Sequence, residues 1–236
     1  MPENKKPFKK APKRFHPRGL SVLYEDRDLL VVDKAAGLLT VSSETVRDRT
    51  AYFLLNEYVR KGNSKARHQV FVVHRLDRET SGVLVFAKHD PAKRFLQDEW
   101  QGFQKTYCAI VRGSPREKKG LITSYLTENR AHRMYSVTDS RKGKLAKTRY
   151  RVVRESPTHS LLDIDLLTGR KNQIRVHLAD KGHPVAGDKK YGKKEAGIKR
   201  LMLHAVSITL LHPHSKETMT LTAPVPAYFE SVMKGS

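Results

Sequence analysis

The sequence is poor in cysteine and has no long apolar run. Cys108 is the only cysteine among 236 residues, which excludes internal disulfides and cysteine-rich zinc sites. No segment reaches the roughly 18 apolar residues that a membrane-spanning helix needs, and the N-terminus lacks the apolar stretch of a signal peptide. We therefore expect a cytoplasmic protein with no membrane partner. Cys108 itself lies in an apolar stretch and is interpreted as a small core residue.

Motifs for nucleotide hydrolysis and metal catalysis are also missing. The chain has neither a Gly-x-x-x-x-Gly-Lys-Ser/Thr phosphate loop nor a Gly-x-Ser-x-Gly turn, which disfavours ATP use and serine hydrolysis. Its 11 histidines show no His-Glu-x-x-His spacing and lie beside no paired cysteines, so no metal site is predicted. The pair His212 and His214 is interpreted as part of a polar turn.

Acidic residues are scarce relative to basic ones. Lys and Arg number 46 against 24 Asp and Glu, which gives a formal net charge of +22. An excess of this size predicts a polyanionic partner, and nucleic acid is the first candidate. An anionic membrane surface is the competing interpretation, but the chain lacks an amphipathic helix with a clean basic face.

Part of this charge lies in a distinct N-terminal segment. Residues 1–18 hold seven Lys or Arg, one Glu and four Pro, hence +6 of the total, which leaves +16 on the remainder. Such a segment cannot bury enough apolar surface to fold alone. We predict a disordered basic tail over residues 1–18, which binds the partner or only confers solubility. Residues 19–236 are predicted to form a single domain that acts as a monomer.

The body of the chain alternates short strand-like runs with helical segments. Strands are predicted over residues 21–25, 29–34, 71–73, 83–87, 106–112, 121–126, 134–137, 146–155, 160–167, 201–210 and 219–223. Helices are predicted over residues 50–60, 91–100, 172–181 and 227–233, with Gly62, Gly102 and Gly182 near the ends of the first three. This order predicts an α+β domain around a mixed, largely antiparallel sheet with flanking helices.

One polar turn leads directly into an apolar strand. Residues 74–82 read His-Arg-Leu-Asp-Arg-Glu-Thr-Ser-Gly and place the carboxylate of Asp77 between the cations of Arg75 and Arg78. An Asp in such a turn can simply bond to the nearby backbone. The flanking cations also favour the ionised carboxylate that a nucleophile or base requires. The residues alone leave both interpretations open.

A second segment is rich in hydrogen-bond donors. Residues 166–177 read Leu-Leu-Thr-Gly-Arg-Lys-Asn-Gln-Ile-Arg-Val-His, which indicates a strand, a glycine turn and a helix start. A helix N-terminus beside Arg170, Lys171 and Arg175 is suited to binding a phosphate. A strand–helix connection with solvated charges is the alternative.

Together these segments resemble the RluA branch of pseudouridine synthases. Residues 74–82 are similar to the central motif of that family. Residues 166–177 are similar to its third motif, usually written Leu-x-Thr-Gly-Arg-x-His-Gln-Ile-Arg. Residues 33–39, 105–107, 182–192 and 203–205 also match family signatures. The resemblance therefore extends from about residue 20 to about residue 225 and carries the expectation of that family's fold.

The resemblance implies roles for particular side chains. In this family the residue matching Asp77 is catalytic, and the residue matching Arg175 pairs with it. The residue matching Tyr107 stands over the target base and is expected to be catalytic, since its ring can stack and its hydroxyl can shuttle or position a proton. A half-buried structural Tyr is the alternative. The residue matching Arg75 fills the space that the flipped base vacates, with a phosphate contact as the alternative. The other residues expected to bind substrate are His74, Arg78, Thr80, Gly169, Arg170 and Gln173.

Two positions depart from the family pattern. Asn172 stands where His is usual, so the hydrogen-bonding side chain is kept but the imidazole is lost. In segment 33–39, Ala35 follows Lys34 where Pro is more common, and we expect this segment to shape the floor of the site.

The resemblance implies an RNA pseudouridine synthase that isomerises uridine in structured rRNA or tRNA without a cofactor. We expect a catalytic domain without a separate RNA-binding module. A non-catalytic RNA-binding or ribosome-assembly protein on the same fold is the alternative, and the retention of Asp77, Tyr107 and Arg175 together favours the enzyme. The sequence leaves open whether Asp77 attacks as a nucleophile or removes a sugar proton.

Overall fold

The computed structural model describes residues 17–42, 48–61, 63 and 65–234. The predicted tail lies outside these residues except for its last two positions, so its disorder stays a prediction. The described chain contains β1 (Leu20–Glu25), β2 (Leu29–Lys34), α1 (Ala51–Arg60), β3 (Phe71–Val72), β4 (Ser81–Ala87), α2 (Asp90–Asp98), β5 (Gln104–Arg112), β6 (Lys119–Glu128), β7 (Met134–Val137), β8 (Lys144–Glu155), β9 (His159–Leu166), α3 (Gln173–Asp180), β10 (Leu203–Leu211), β11 (Thr218–Thr222) and α4 (Tyr228–Lys234).

Local signals in the sequence account for the element boundaries. The Asp26 carboxylate accepts the N–H groups of Asp28 and Leu29 at 2.8 and 2.7 Å, which closes the β1–β2 turn. Helix α1 begins after Thr50, whose hydroxyl oxygen accepts the N–H of Phe53 at 3.2 Å. It ends before Lys61, which adopts the left-handed conformation at the C-cap with φ 53°. No helix in the described ranges is both long and apolar enough to cross a membrane.

One mixed sheet contains all eleven strands of the described chain. Its order is β1-β2-β4-β10-β5-β9-β8-β6-β7, with β11 beside β10 and β3 beside β4. All the neighbours pair antiparallel except β4 and β10, which run parallel. The predicted α+β class with a mixed, largely antiparallel sheet is therefore confirmed.

The parallel pairing depends on Gly82. This residue has φ +113°, and a Cβ atom there would lie 2.1 Å from the carbonyl oxygen of Ala205. Only glycine allows β4 to approach β10 this closely. The pairing holds the start of β4, and the turn before it, against an interior strand of the sheet.

The two ends of the sheet are covered differently. In β4 all seven residues are buried, because Leu84 and Phe86 join the core beneath α1 and α4 whereas Val83 and Val85 join the core beneath α2. This two-sided burial explains the continuous apolar sequence of the strand. Strand β8 instead alternates buried and exposed positions over its first half, so one face of that end of the sheet is open to solvent.

Candidate active site

A cavity of about 290 Å³ lies between the turn before β4, strand β5 and the start of α3. Its walls contain every predicted site residue except Arg78. The lining residues are Val73, His74, Arg75, Leu76, Asp77, Thr80, Trp100, Lys105, Tyr107, Leu166, Gly169, Arg170, Asn172, Gln173, Ile174, Arg175 and Leu203. Segments that lie far apart in sequence meet here because β10 pairs with both β4 and β5.

The Asp77 carboxylate is anchored through one of its two oxygens. Its Oδ2 accepts a hydrogen bond from Asn172 Nδ2 at 2.5 Å and another from Arg175 Nη1 at 3.4 Å. Within the described chain, Oδ1 accepts no hydrogen bond from another side chain. The Asp77 side chain is 26% exposed. The carboxylate is therefore oriented by two donors and retains one oxygen for a ligand in the cavity.

Arg175 is itself oriented by a buried acid. Its Nε and Nη2 donate to the two oxygens of Asp188 at 2.7 and 2.8 Å, which leaves Nη1 directed at Asp77. Burial lowers the pKa of Arg175, but the hydrogen bonds and charge of Asp188 and the charge of Asp77 outweigh it and raise the pKa. Burial raises the pKa of Asp188, but Arg175 outweighs it and holds this pKa below its usual range. The ion pair therefore stays charged.

Asn172 has a definite place in this network. Its backbone is left-handed, with φ 52°, a conformation that Asn tolerates better than most residues. Its Oδ1 accepts a hydrogen bond from the Tyr191 hydroxyl at 3.2 Å, which orients Nδ2 toward Asp77. The Tyr191 oxygen in turn accepts the N–H of Met134 at 3.1 Å. Tyr191 and Asp188 fall in the family-like segment 182–192, for which the sequence indicated no role.

Tyr107 lies on β5 and is almost fully buried in the cavity wall. Burial, and to a smaller extent the charge of Asp77, raises the pKa of its hydroxyl far above the usual value. The phenol therefore stays protonated at neutral pH. It can offer a ring face and a hydroxyl that donates or accepts a hydrogen bond.

Two predicted substrate-binding residues bond the protein through their side chains. His74 stacks on Trp100 with ring centroids 4.3 Å apart, and its Nε2 accepts the N–H of Val85 at 3.0 Å. Burial lowers the pKa of His74 to about 3, so the ring is neutral. The Gln173 amide bonds four partners: Thr168 Oγ1, Arg170 N, Lys147 O and Thr148 Oγ1. Both side chains line the cavity and brace its walls.

The remaining predicted residues differ in burial and in their contacts. Thr80 is buried, and its N–H donates to the Asp77 carbonyl at 3.1 Å. Arg78 lies outside the cavity lining and donates through Nε to the Gly37 carbonyl at 3.1 Å. Arg75 is exposed at the cavity edge, whereas Arg170 is tied through Nε to the Leu145 carbonyl at 3.0 Å. Gly169 has open space where a Cβ would lie.

Lys34 is a structural residue of the site that sequence reasoning missed. It is fully buried, and its Nζ donates to the carbonyls of Ala35, Leu38 and Arg78 at 3.0, 2.9 and 3.2 Å. Burial lowers its pKa to about 8, although the charge of Asp77 opposes this shift. The ammonium thus ties segment 33–39 to the Asp77 turn, which gives a physical basis to the expected role of that segment. In the sequence, a lysine that ends an apolar strand carries no signal to distinguish it from a solvated one.

One group of side chains in the described residues has ligand atoms close enough for a metal ion: Asp26, Asp28 and His212. It lies outside the cavity. The Nδ1 of His212 already accepts the N–H groups of His214 and Ser215 at 3.2 and 3.1 Å, which places the ring proton on Nε2. The Nε2–H group then donates to Asp26 Oδ2, with 2.7 Å between the two heavy atoms. This hydrogen bond accounts for the close approach of His212 and Asp26.

Comparisons with known proteins agree with this geometry. Residues 28–180 match the sequence model of a family described as RNA pseudouridylate synthase. The RNA pseudouridine synthase YhcT of Bacillus subtilis is 38% identical over 221 residues, covering 91% of this chain and 72% of the relative. Ribosomal large subunit pseudouridine synthase C of Vibrio vulnificus is 33% identical over 222 residues, covering 90% and 68%. The solved structure of human RNA pseudouridylate synthase domain containing 4 has a TM-score of 0.74 at 25% identity, covering 89% of this chain and 90% of that one.

Proposed function

The chain belongs to the RNA pseudouridylate synthase family and is an RNA isomerase, and we propose that Asp77 is its catalytic carboxylate. The observation that carries this proposal is the one-sided anchoring of Asp77, with Oδ2 held by Asn172 and Arg175. Two donors on one oxygen fix the direction of the carboxylate. The other oxygen can then meet the substrate without first breaking a bond to the protein.

The reaction needs an ionised group of this kind. Conversion of uridine to pseudouridine breaks the bond from the ring nitrogen to the sugar, rotates the base and joins it again through carbon 5. The hydrogen on carbon 5 leaves as a proton and the ring nitrogen gains one, so the reaction is an isomerisation. Asp77 can attack the sugar or the base as a nucleophile, or remove a sugar proton as a base. Both routes start from the carboxylate, and the ion pair of Arg175 with Asp188 holds it in place during either one.

The target base must leave its stack in the RNA and needs a flat surface to pack against in the cavity. The ring of Tyr107 supplies a buried face inside the cavity, and its retained hydroxyl proton can be donated to the base. Removing a uridine from its stack costs about a few kcal/mol in a duplex and less in a loop. The exposed guanidinium of Arg75 at the cavity edge is proposed to occupy the vacated space.

Ribosomal RNA is the first substrate to test. The Vibrio vulnificus relative carries the name ribosomal large subunit pseudouridine synthase C, and we extend that substrate class to this chain. A uridine in tRNA is the second candidate. A non-catalytic RNA-binding role is less consistent with the site, because binding RNA does not require a buried Arg175–Asp188 pair directed at another carboxylate.

The experiment maps pseudouridine by carbodiimide treatment and primer extension in cells that lack the protein. At least one rRNA uridine should lose its signal, and the wild-type gene should restore it. Asp77→Asn should fail to restore it, because a catalytic carboxylate contributes about a hundredfold or more to the rate. The purified variant should still bind RNA.

Asp163→Asn is the matched control. Asp163 lies on β9, is 45% exposed in its side chain and pairs with Arg151 outside the cavity, so this variant should restore the signal. Recovery of the modification by Asp77→Asn within tenfold of the wild-type rate would remove Asp77 from the mechanism. If the signal is lost only in tRNA, the substrate is tRNA rather than rRNA, and the proposal for Asp77 is unaffected.

A further inference from the structure

A second cavity adjoins the candidate active site and shares Arg175 with it. This cavity has a volume of about 430 Å³, and its walls contain six cationic side chains against two carboxylates. The cations are Arg133, Arg175, Lys189, Lys190, Lys199 and Arg200, and the acids are Glu79 and Asp188. We call it the basic cavity.

The two acids do not neutralise the basic cavity. Both oxygens of Asp188 are taken by Arg175, and Glu79 lies 3.7 Å from Arg78, which is not part of the walls. Within the described chain, the five other cations of the cavity form no ion pair with a carboxylate. The cavity therefore retains a strong positive charge.

Two of these cations are held in position by uncharged partners. Arg200 donates to the Leu201 carbonyl at 3.2 Å and to Ser81 Oγ at 2.5 Å, while Lys190 donates to the His132 carbonyl at 2.7 Å. Burial lowers the pKa of both residues, and the neighbouring cations of Lys171 and Arg175 lower that of Lys190 further. More distant carboxylates, Asp33 and Glu79 for Arg200 and Asp77 and Glu128 for Lys190, oppose these shifts without reversing them. A partly buried cation with no carboxylate in direct contact carries a desolvation cost, which an anionic ligand would offset.

A third cavity beside the active site is more fully neutralised by carboxylates. This cavity, of about 480 Å³, shares Gly169 and Arg170 with the active site. Its Arg141 and Lys142 pair with Asp139, and its Lys171 pairs with Glu128. Lys144 and Arg170 of this cavity form no ion pair within the described residues, so the difference is one of degree: three of its five cations are paired, against one of six in the basic cavity.

We propose that the basic cavity binds a backbone phosphate of the RNA substrate, from a nucleotide close to the target uridine. This inference rests on the proposed function, because Arg175 lines both cavities and so relates the position of the phosphate to that of Asp77. Arg and Lys side chains bind phosphate oxygens through charge-assisted hydrogen bonds, and such bonds set the register of a nucleic acid without reading its sequence. The strand would therefore leave the active site past Arg175.

The test measures fluorescence anisotropy of a short fluorescein-labelled oligouridylate at several salt concentrations. Lys189 and Lys199 are exposed and have no ion pair in the described ranges, so K189A/K199A should leave the fold intact. Binding should weaken by roughly tenfold, because charge-assisted hydrogen bonds to phosphate are removed. The salt slope should shrink by about 0.7 for each phosphate that the variant no longer binds.

The control is K119A/K181A, which removes the same charge from two exposed lysines that line neither the basic cavity nor the active site. It should change binding by less than about twofold. K189R/K199R should keep the wild-type affinity, and thermal melting should show that all variants are folded. Equal weakening of binding in the two alanine pairs, or no weakening in either, would overturn the proposal. Because binding is measured without turnover, failure of the Asp77 assignment leaves this result interpretable.

Discussion

Arg175 connects a buried acid to the proposed catalytic one. Asp188 has a fully buried side chain and holds the Nε and Nη2 groups of Arg175, so that Nη1 reaches Asp77. Asp188 does not touch the substrate in this arrangement and is a positioning residue. The same guanidinium packs over the ring of Tyr191, 5.2 Å from its centre, which limits its movement.

Asp188→Asn should slow catalysis more than it weakens RNA binding. The amide cannot accept both guanidinium hydrogen bonds, so Arg175 loses its fixed direction. We expect a fall in kcat on the order of a hundredfold, with KM changed much less. Single-turnover assays and anisotropy on the same RNA separate the two quantities, and Asp163→Asn again serves as the control. Parallel decreases in kcat and affinity would instead make Arg175 a phosphate-binding residue.

At the level of elements, the site depends on the junction between the end of β2 and the turn before β4. Lys34 closes this junction through three backbone carbonyls. Gly82 completes it by allowing β4 to lie against β10. The position of Asp77 therefore follows from the packing of two strands and from a single buried ammonium.

Lys34→Met should loosen the Asp77 turn while keeping the apolar volume of the stem. We expect activity to fall by roughly tenfold or more, because three charge-assisted hydrogen bonds are removed. Lys88→Met, which breaks a different buried ion pair with Glu25, should lower stability without a comparable decrease in activity. Measurements of Tm and of initial rate on each variant distinguish these outcomes.

The pKa of Lys34 also predicts an alkaline limit in the wild-type protein. Burial lowers this pKa from 10.5 to about 8, so the ammonium loses a proton, and with it one of its three donors, as pH rises through 8. Activity should decline over that range, and the Lys34→Met variant should lack this step. The free energy of unfolding should instead increase as pH rises from 8 to 10.5. In that range the unfolded chain holds the Lys34 proton more strongly than the folded chain does. If the activity of the Lys34→Met variant declines with pH as the wild type does, titration of Lys34 is not the cause of the decline.

On the scale of the whole molecule, buried neutral histidines set the response to acid. Burial lowers the pKa of His177 and His204 from 6.5 to about 4, and that of His74 to about 3. Below pH 6.5 the unfolded chain gains protons that the folded chain does not bind. Stability should therefore fall as pH decreases from 6.5 toward 4.

His177→Gln should reduce this acid sensitivity. The imidazole bonds Thr148 Oγ1 and Ser124 Oγ at 2.9 and 3.0 Å, so the variant should have a lower Tm at pH 7 but a smaller drop between pH 6.5 and 4. His214→Gln, at an exposed position, should behave as wild type. Thermal unfolding across this pH range provides the measurement. If the Tm of His177→Gln falls between pH 6.5 and 4 as steeply as that of the wild type, His177 does not contribute to the acid sensitivity.

Most of the fold could be predicted because its signals are local. The alternation of apolar residues, the Asp26 turn and the Thr50 cap each act within a few residues, and the predicted strands and helices match the observed ones to within a few positions. The location of the site could also be predicted, because two continuous segments, 74–82 and 166–177, contribute residues to the same cavity.

The sequence by itself determined the family, the fold class and the segments that form the cavity. Only the tertiary structure decided which atoms meet: Asn172 lies 95 residues from Asp77 and donates to it, and Lys34 lies 44 residues from the Arg78 carbonyl that it binds. Such pairings depend on strand order and on side-chain direction, which no local pattern encodes. The basic cavity has the same origin, because a net charge of +22 predicts an anionic partner without saying where its phosphates bind.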